Sequence, residues 1–521
     1  MGTHREYKQE VRDALYGFVY LNRAEWDIIN SPAFQRLRDI KQLAMGHMVY
    51  PGAVHTRLEH SIGCVHQADR ILHQLRENSR DVLESEFLIT DENFQRSRQL
   101  LRLAALLHDL GHAPFSHSGE DLLPQSADGK KLTHEDMTAR LIRETDIGEK
   151  IETWFSADGI DREDVIAVAT AFSKARNKKP SAHVSILNEM LTGDLGADRL
   201  DYLLRDAYHA GQRSGVFDHD RLIREVRLIE APVEAGPDPN VKTTKDDAGT
   251  PEDSVILPSF TVGFGEGGWG VAEQMIAARY LMYTGLYFHK TKRIYEIHLS
   301  QFMPTALKAF GGRLPDDVRS YVALSDSVIW REIIVAATDE SHAQHELASR
   351  FVRRGHMRLA KELILADNFR QVDKRRVPDK ARFSQFDKDV RNKYGNSVIV
   401  DSSDHSATKM FDAHNLLVSL VVGPDILMTS LKSWAECLRA SGAVACMRTN
   451  PPATRSTDSV TGGCKDTGYK RAPETPNESE TTRLDRIRHE GPRRRRKLDR
   501  PNALAQAPLH HPGARLGRHP V

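Results

Sequence analysis

Four residues in the first half of the chain combine in a way that could do chemistry: His60 in HTRLEHS, His108 and Asp109 at the end of LLRLAALLHD, and Asp198 near the start of ADRLDYLLRD. Two imidazoles and two carboxylates make a mixed nitrogen and oxygen ligand set. Such a set suits Zn, Fe, Mn, Co or Ni, and softness alone does not choose among them. An ion held this way lowers the pKa of bound water and makes hydroxide available near neutral pH. A His-Asp pair by itself says little in a chain with 24 histidines, and an isolated His on an apolar helix is more often a satisfied core residue. His108 and Asp109, however, close a stretch with almost no other polar group. An ionised carboxylate buried there is costly without a partner cation, and a metal is the simplest partner.

Three further histidines sit close by: His112, His117 and His134, with Glu120 among them. Together they could supply acid and base groups and bind phosphate; singly, each reads equally well as a loop or cap histidine. After Asp198, Tyr202 and Asp206 follow at i+4 and i+8 and share its helical face. Arg199 and Arg205 flank that face, where an anionic substrate over the ion would meet them; a solvated salt-bridge face is the plain alternative. His66, His73, His209, His219 and the histidines after residue 340 have no such context and read as solvated or structural.

The elements that must position these groups are mostly helical. Residues 10–21 contain Gly17 among β-favouring residues and read as a strand or hairpin. The pattern turns helical over 24–43, with Pro32 at a helix start, and again over 58–76. Residues 100–110 are apolar nearly all round and should be buried; Gly111 and Pro114 then leave the turn GHAPFSH. A further helix is expected over 197–209. Residues 231–254 read as a loop inserted between short strands at 226–229 and 259–264. Helical patterning resumes at 271–288. The region after 300 looks mixed, with a strand expected at 397–400. From 448 the chain is rich in Pro, Thr, Ser, Gly and Arg and reads as a disordered basic tail.

Composition bounds the function. Of 521 residues, 40% are hydrophobic and 28% charged, and the formal net charge of +1 argues against a whole-protein nucleic-acid magnet. The four cysteines form neither a disulfide framework nor a paired ligand pattern, which favours a reducing, cytoplasmic setting. The segment MGTHREYKQE lacks an apolar run, so no secretory signal is expected. No apolar stretch approaches the ~20 residues needed to span a bilayer, so no membrane partner is expected.

In order and spacing, the segments FQRLRDIKQL, YPGAVHTRLEHSIG, LLHDLGHAPFSH, THE, DRLDYLLRDAYHAG and ARYLMYTGLYFHK resemble the HD superfamily of metal-dependent phosphohydrolases. Within it, they look like the deoxynucleoside triphosphate triphosphohydrolases related to the SAM- and HD-domain enzyme. The resemblance covers roughly residues 10–300. It implies a mainly α fold, with an HD-type catalytic domain over 1–300 that carries small β-hairpins and has its metal core at about 30–215; patterning and composition add a helical or mixed lobe over 301–447 and the tail over 448–521. It implies the metal set His60, His108, Asp109 and Asp198, one tightly bound divalent transition metal, Mg travelling with the nucleotide, and a homo-oligomer. His117 matches the leaving-group acid, with Glu120 where the family usually has an Asp that orients it. His112 and His134 match phosphate-side residues. Arg57, Arg199, Tyr202 and Arg279 match triphosphate contacts, Gln42 and Asp206 match groups that read the sugar 3′-hydroxyl, and Tyr287 matches a residue packed against the sugar. Tyr283 stands where better-known relatives carry a His, and Phe288 where they carry a Gln near the base.

The implied reaction is hydrolysis of a deoxynucleoside triphosphate to deoxynucleoside and inorganic triphosphate. Two rivals accompany it: an HD-type phosphohydrolase acting on a nucleoside monophosphate, cyclic nucleotide or alarmone, and a nucleic-acid-binding protein using the basic run at 491–500. In regulated relatives an Asp reads a guanine effector where this chain has Asn30, with Gln35 and Arg38 retained. An Asn offers one acceptor and one donor to two guanine donors, so GTP is not expected to be an obligatory activator. The plain alternative is that Asn30 is a helix N-cap before Pro32.

Overall fold

A computed structural model describes residues 7–126, 129–176, 181–230 and 260–358, with isolated positions at 388 and 392. Within these residues the architecture is helical, with two small antiparallel sheets. The first is the hairpin β1 (Gln9–Asp13) and β2 (Gly17–Leu21), in a register that opposes Val11 to Val19. Its turn is set by Asp13, whose Oδ1 accepts from Leu15 N–H at 2.8 Å and Tyr16 N–H at 3.1 Å, and by Gly17 at φ 76°. The expected strand or hairpin near the start is therefore a hairpin.

The helical pattern over 24–43 divides at Pro32, which begins a helix as expected, and ends sooner than the pattern suggested, in 3₁₀ turns. Helix α1 (Arg23–Ile29) starts in a capping box between Asn22 and Glu25 and ends at Asn30. Ser31 is extended ahead of Pro32, which opens the short α2 (Pro32–Gln35); a tighter 3₁₀ turn follows at Arg36–Asp39. Asn30 is thus the C-cap of α1, not an N-cap, and its exposed amide donates back to Trp26 O at 2.8 Å.

The helices that matter most come next. They are α3 (Arg57–Asn78), α4 (Arg80–Phe87), α5 (Phe94–Leu107), α6 (His134–Glu144), α7 (Asp146–Phe155), α8 (Arg162–Ala169), α9 (Ala182–Thr192) and α10 (Ala197–Ala210). Every residue from 99 to 107 is buried, as the apolar run requires; Arg102 within it is neutralised by Glu25, with nitrogens 2.7 and 2.8 Å from the carboxylate. Helix α3 packs against both α5 and α10. Gly63 permits the second approach, since a Cβ there would overlap the carboxylate of Asp201 and the guanidinium of Arg205.

Arg205 does not flank the substrate face as expected. It is fully buried and paired with Asp201 at 2.8 Å and with Asp13 at 3.0 Å. Seven residues past Asp198 is nearly two full helical turns, which returns Arg205 to the side that packs on α3.

Helix α11 (His219–Glu225) leads into β3 (Val226–Glu230), which pairs antiparallel with β4 (Phe260–Phe264). The inserted loop expected at 231–254 lies outside the described residues. Helix α12 (Trp269–Met282) passes into a wider π turn at Tyr283–Tyr287, and α13 (Lys290–Ala306), α14 (Val318–Val322), α15 (Asp326–Thr338) and α16 (His345–Val352) follow. Where described, the part after 300 is helical. The strand expected at 397–400 and the basic tail lie outside the described residues. No helix among those residues is long and apolar enough to cross a membrane.

Candidate metal centre and active site

His60 projects from the first turn of α3, His108 and Asp109 follow the last turn of α5, and Asp198 lies in the first turn of α10. His60 Nε2 is 3.0 Å from Asp198 Oδ1 and 3.5 Å from Asp109 Oδ2; His108 Nε2 is 3.5 Å from Asp109 Oδ1 and 3.7 Å from Asp198 Oδ1. The other ring nitrogens have acceptors of their own. His60 Nδ1 lies 2.7 Å from Asp201 Oδ2, and His108 Nδ1 lies 2.9 Å from the carbonyl of Ala105. A proton on each Nδ1 satisfies those bonds and leaves both Nε2 lone pairs facing two carboxylates. His108 Nε2 is buried and makes no hydrogen bond. Such an arrangement repels itself unless a cation lies between the four groups, so these residues fit a divalent metal.

The carboxylates are anionic. Burial disfavours charge on Asp109, but Arg57, His108 and His112 hold it well below the usual range. Burial likewise opposes charge on Asp198, and hydrogen bonds from His108 and His60 hold it low when those rings carry the proton that a bound cation would replace. Cys64 is close as well, its Sγ 3.6 Å from both ring nitrogens of His60. Burial pushes its thiol up to about 12, so it packs as a neutral group on the imidazole. Asp109 is the better fourth ligand, because its anionic oxygens face both histidines.

A second cluster adjoins the first. Side-chain nitrogens of His112, His117 and His134 lie within 4.8 Å of one another. Glu120 ties two of them together, 3.1 Å from His117 Nδ1 and 2.8 Å from His134 Nδ1. Burial disfavours its charge, yet these two bonds hold its carboxyl far below the usual range. Both rings therefore present Nε2 away from Glu120. His112 stacks on His134 with centroids 4.2 Å apart, and its Nε2 is 3.2 Å from Asp109 Oδ1. Gly111 lets the start of α6 approach, since a Cβ there would overlap His134 O and Thr138 N. Between the clusters the turn is strained: Phe115 and Ser116 have φ of 58° and 54°, each costing on the order of 1–3 kcal/mol for a non-glycine residue.

The residues expected on the substrate side divide into engaged and unengaged groups. Arg57 is buried, bonded to Asp109 and, through Nε, to Ser116 Oγ at 2.8 Å. Arg199 pairs with Asp194. Burial and then the nearby Arg279 lower its pKa, as expected for two guanidinium groups held together. Arg279 lies 5.7 Å from the ring of Tyr283, and its Nε is buried without a hydrogen-bond partner. Gln42 has a buried, unpartnered Oε1. Asp206 is engaged at both oxygens, by His55 Nε2 at 2.7 Å and by Tyr287 O–H at 2.7 Å. Tyr287, at the end of the π turn, meets Tyr202 edge-on at 6.3 Å. Near the segment expected to read an effector, Gln35 donates to Ile29 O at 2.8 Å and Arg38 Nε donates to Gln35 Oε1 at 2.6 Å.

Sequence reasoning missed two residues here. Asp201, which orients His60, sits one helical turn after Asp198 and could have been read from that spacing. His55, which holds Asp206 and stacks on His209 at 4.5 Å, gave no signal beyond its nearness to His60.

An HD-domain family profile matches residues 57–206, a span that holds all four metal-site residues. The chain is 31% identical over 246 residues to the human deoxynucleoside triphosphate triphosphohydrolase SAMHD1, covering 44% of this chain and 37% of that protein. It is 30% identical over 232 residues to the SAMHD1 homolog of Dictyostelium discoideum, covering 44% and 41%. The match thus spans less than half the length of either relative. A crystal structure of a hypothetical protein from Aquifex aeolicus is similar in fold and sequence, with a TM-score of 0.52 and 30% identity over 74% of this chain and 82% of that one. With its helical fold and its converging His and Asp residues, the chain carries an HD domain over residues 57–206 and resembles the HD superfamily of metal-dependent phosphohydrolases.

Proposed function

We propose that the protein hydrolyses deoxynucleoside triphosphates to deoxynucleoside and inorganic triphosphate. The observation that carries this reading is the adjacency of two clusters: His60, His108, Asp109 and half-buried Asp198, which fit a metal, and the Glu120-bound His117 and His134 beside them. His60, His108, Asp109 and Asp198 would hold the ion. When bound, it would supply Lewis acidity and a hydroxide source near neutral pH. His117, held through Nδ1 by Glu120, would deliver a proton from Nε2 to the departing 5′-oxygen. His112 and His134 would face the phosphate that is attacked. Arg199 and Arg279 would meet the rest of the triphosphate; their mutual repulsion is relieved by an anion between them. Gln42 and Asp206 would read the sugar 3′-hydroxyl, with Tyr287 packed against the sugar and Tyr202 on the triphosphate side. Magnesium entering with the triphosphate and a homo-oligomeric state go with this reading.

One observation favours a narrower substrate. Arg57 and Arg199 are already ion-paired, which leaves fewer cations for a triphosphate. A nucleoside monophosphate, cyclic nucleotide or alarmone would need fewer. A product assay separates the readings. Inorganic triphosphate supports ours; inorganic phosphate or a nucleoside monophosphate supports the other. The nucleic-acid alternative rests on residues outside those described.

A further inference from the structure

We propose that Asp326, far in sequence from both clusters, is a positioning residue that pins the strained turn carrying His117; this rests on the phosphohydrolase reading above. Asp326 is the first residue of α15 and is fully buried. Its Oδ1 accepts from the Phe115 N–H at 2.6 Å, and its Oδ2 accepts from the Lys41 N–H at 3.0 Å. The Lys41 ammonium lies 3.6 Å from the same oxygen. One carboxylate therefore joins the segment before α3 to the left-handed residue two places ahead of His117.

The neighbouring bonds extend the knot toward the metal site. Ser116 Oγ donates to Lys41 O at 2.8 Å and accepts from Arg57 Nε at 2.8 Å, and Arg57 reaches Asp109. The start of α15 is itself fixed. Ser325 Oγ and Ser327 Oγ donate to the Asp39 carboxylate at 2.5 and 2.7 Å. A carboxylate suits this point because N–H donors face both its oxygens; an amide would turn an NH₂ toward one of them. Burial pushes the Asp326 carboxyl up to about 6 despite Lys41 and the two backbone donors, which still leaves it ionised at neutral pH. The His117 ring is 71% exposed, bonded through Nδ1 to Glu120 and edge-on to His112 at 4.9 Å, so the backbone of the turn sets where the ring sits and Glu120 sets which way its Nε2 points.

The test compares Asp326→Asn with wild type on two substrates. A deoxynucleoside triphosphate releases an alkoxide that needs a proton; bis(p-nitrophenyl) phosphate releases p-nitrophenolate, which leaves without one. The expected result is a kcat loss on the order of 100-fold on the nucleotide, with KM and bound metal near wild type, a lowered Tm because the buried amide faces a backbone donor, and a much smaller loss on the aryl ester. Equal losses on both substrates, or activity within about twofold of wild type on both, would overturn the proposal. Amide exchange of the wild-type, metal-loaded protein tests the pin without any variant. The Phe115 amide should be as protected as those of α5, and exchange at the rate of an exposed loop would overturn the proposal. A protected Phe115 in a protein that hydrolyses no deoxynucleotide would support the pin and count against the nucleotide reading instead.

Discussion

The metal quartet and the acid turn lie side by side but are built in opposite ways. The quartet stands on helix termini and first turns, is largely buried, and each histidine is locked by an acceptor behind it: Asp201 for His60, the Ala105 carbonyl for His108. The turn from Gly111 to Glu120 has no regular helix to rely on. It holds two consecutive left-handed residues and presents His117 largely to solvent. The difference suits two tasks. Ligands must converge on one point and stay there, which rigid helices provide. An acid must reach a leaving group that arrives with the substrate, and a turn under strain can hold a ring at that edge without burying it.

If the quartet is a metal site, its loss should have the largest effect. His60→Ala or Asp109→Ala should abolish hydrolysis and lower bound metal, measured by elemental analysis of the purified variants. Full activity with metal lost in either variant would remove the ion from the mechanism. The acid turn should behave differently. His117→Ala should keep the metal and bind substrate while turnover falls by ~10²–10⁴-fold; a variant with normal turnover would take His117 out of the reaction.

The lock behind the quartet should matter less than the quartet itself. Asp201→Asn keeps the shape but weakens the hold on His60 Nδ1. It should cost on the order of 10–100-fold in metal affinity or activity, read by metal titration of the apo protein. Asp201 also neutralises buried Arg205, so a fall in Tm should accompany that loss. At the small end, a chain ending near residue 447 should hydrolyse substrate as well as the full chain, and adding GTP should not be required for activity. A strict GTP requirement at low micromolar concentration would show that Asn30 does not exclude a guanine effector.

How much of this was legible in the sequence follows the same division. His108 and Asp109 stood out because they close an apolar helical run, where a buried carboxylate has to be explained; His60 and Asp198 could be joined to them only as partners from other helices. The helices bearing the quartet were legible from their apolar patterning. What failed was orientation and reach. Arg205 lies near Asp198 on a helical wheel, and only the close approach that Gly63 permits turns it into a core ion pair. Over 24–43 the helix start at Pro32 was legible, but the apolar steps did not show that the chain tightens into 3₁₀ turns after Gln35. Asp326 could not have been found, because its two backbone partners are 211 and 285 residues away in sequence.

The central claim is that the quartet and the acid turn together split a deoxynucleoside triphosphate at its α-phosphorus. The most direct measurement is phosphorus NMR of the products formed by metal-loaded wild-type protein from each of the common deoxynucleoside triphosphates. The account predicts inorganic triphosphate and free deoxynucleoside, and no product after the ion is chelated away. Pyrophosphate with a deoxynucleoside monophosphate, or the same products from the chelated protein, would contradict it.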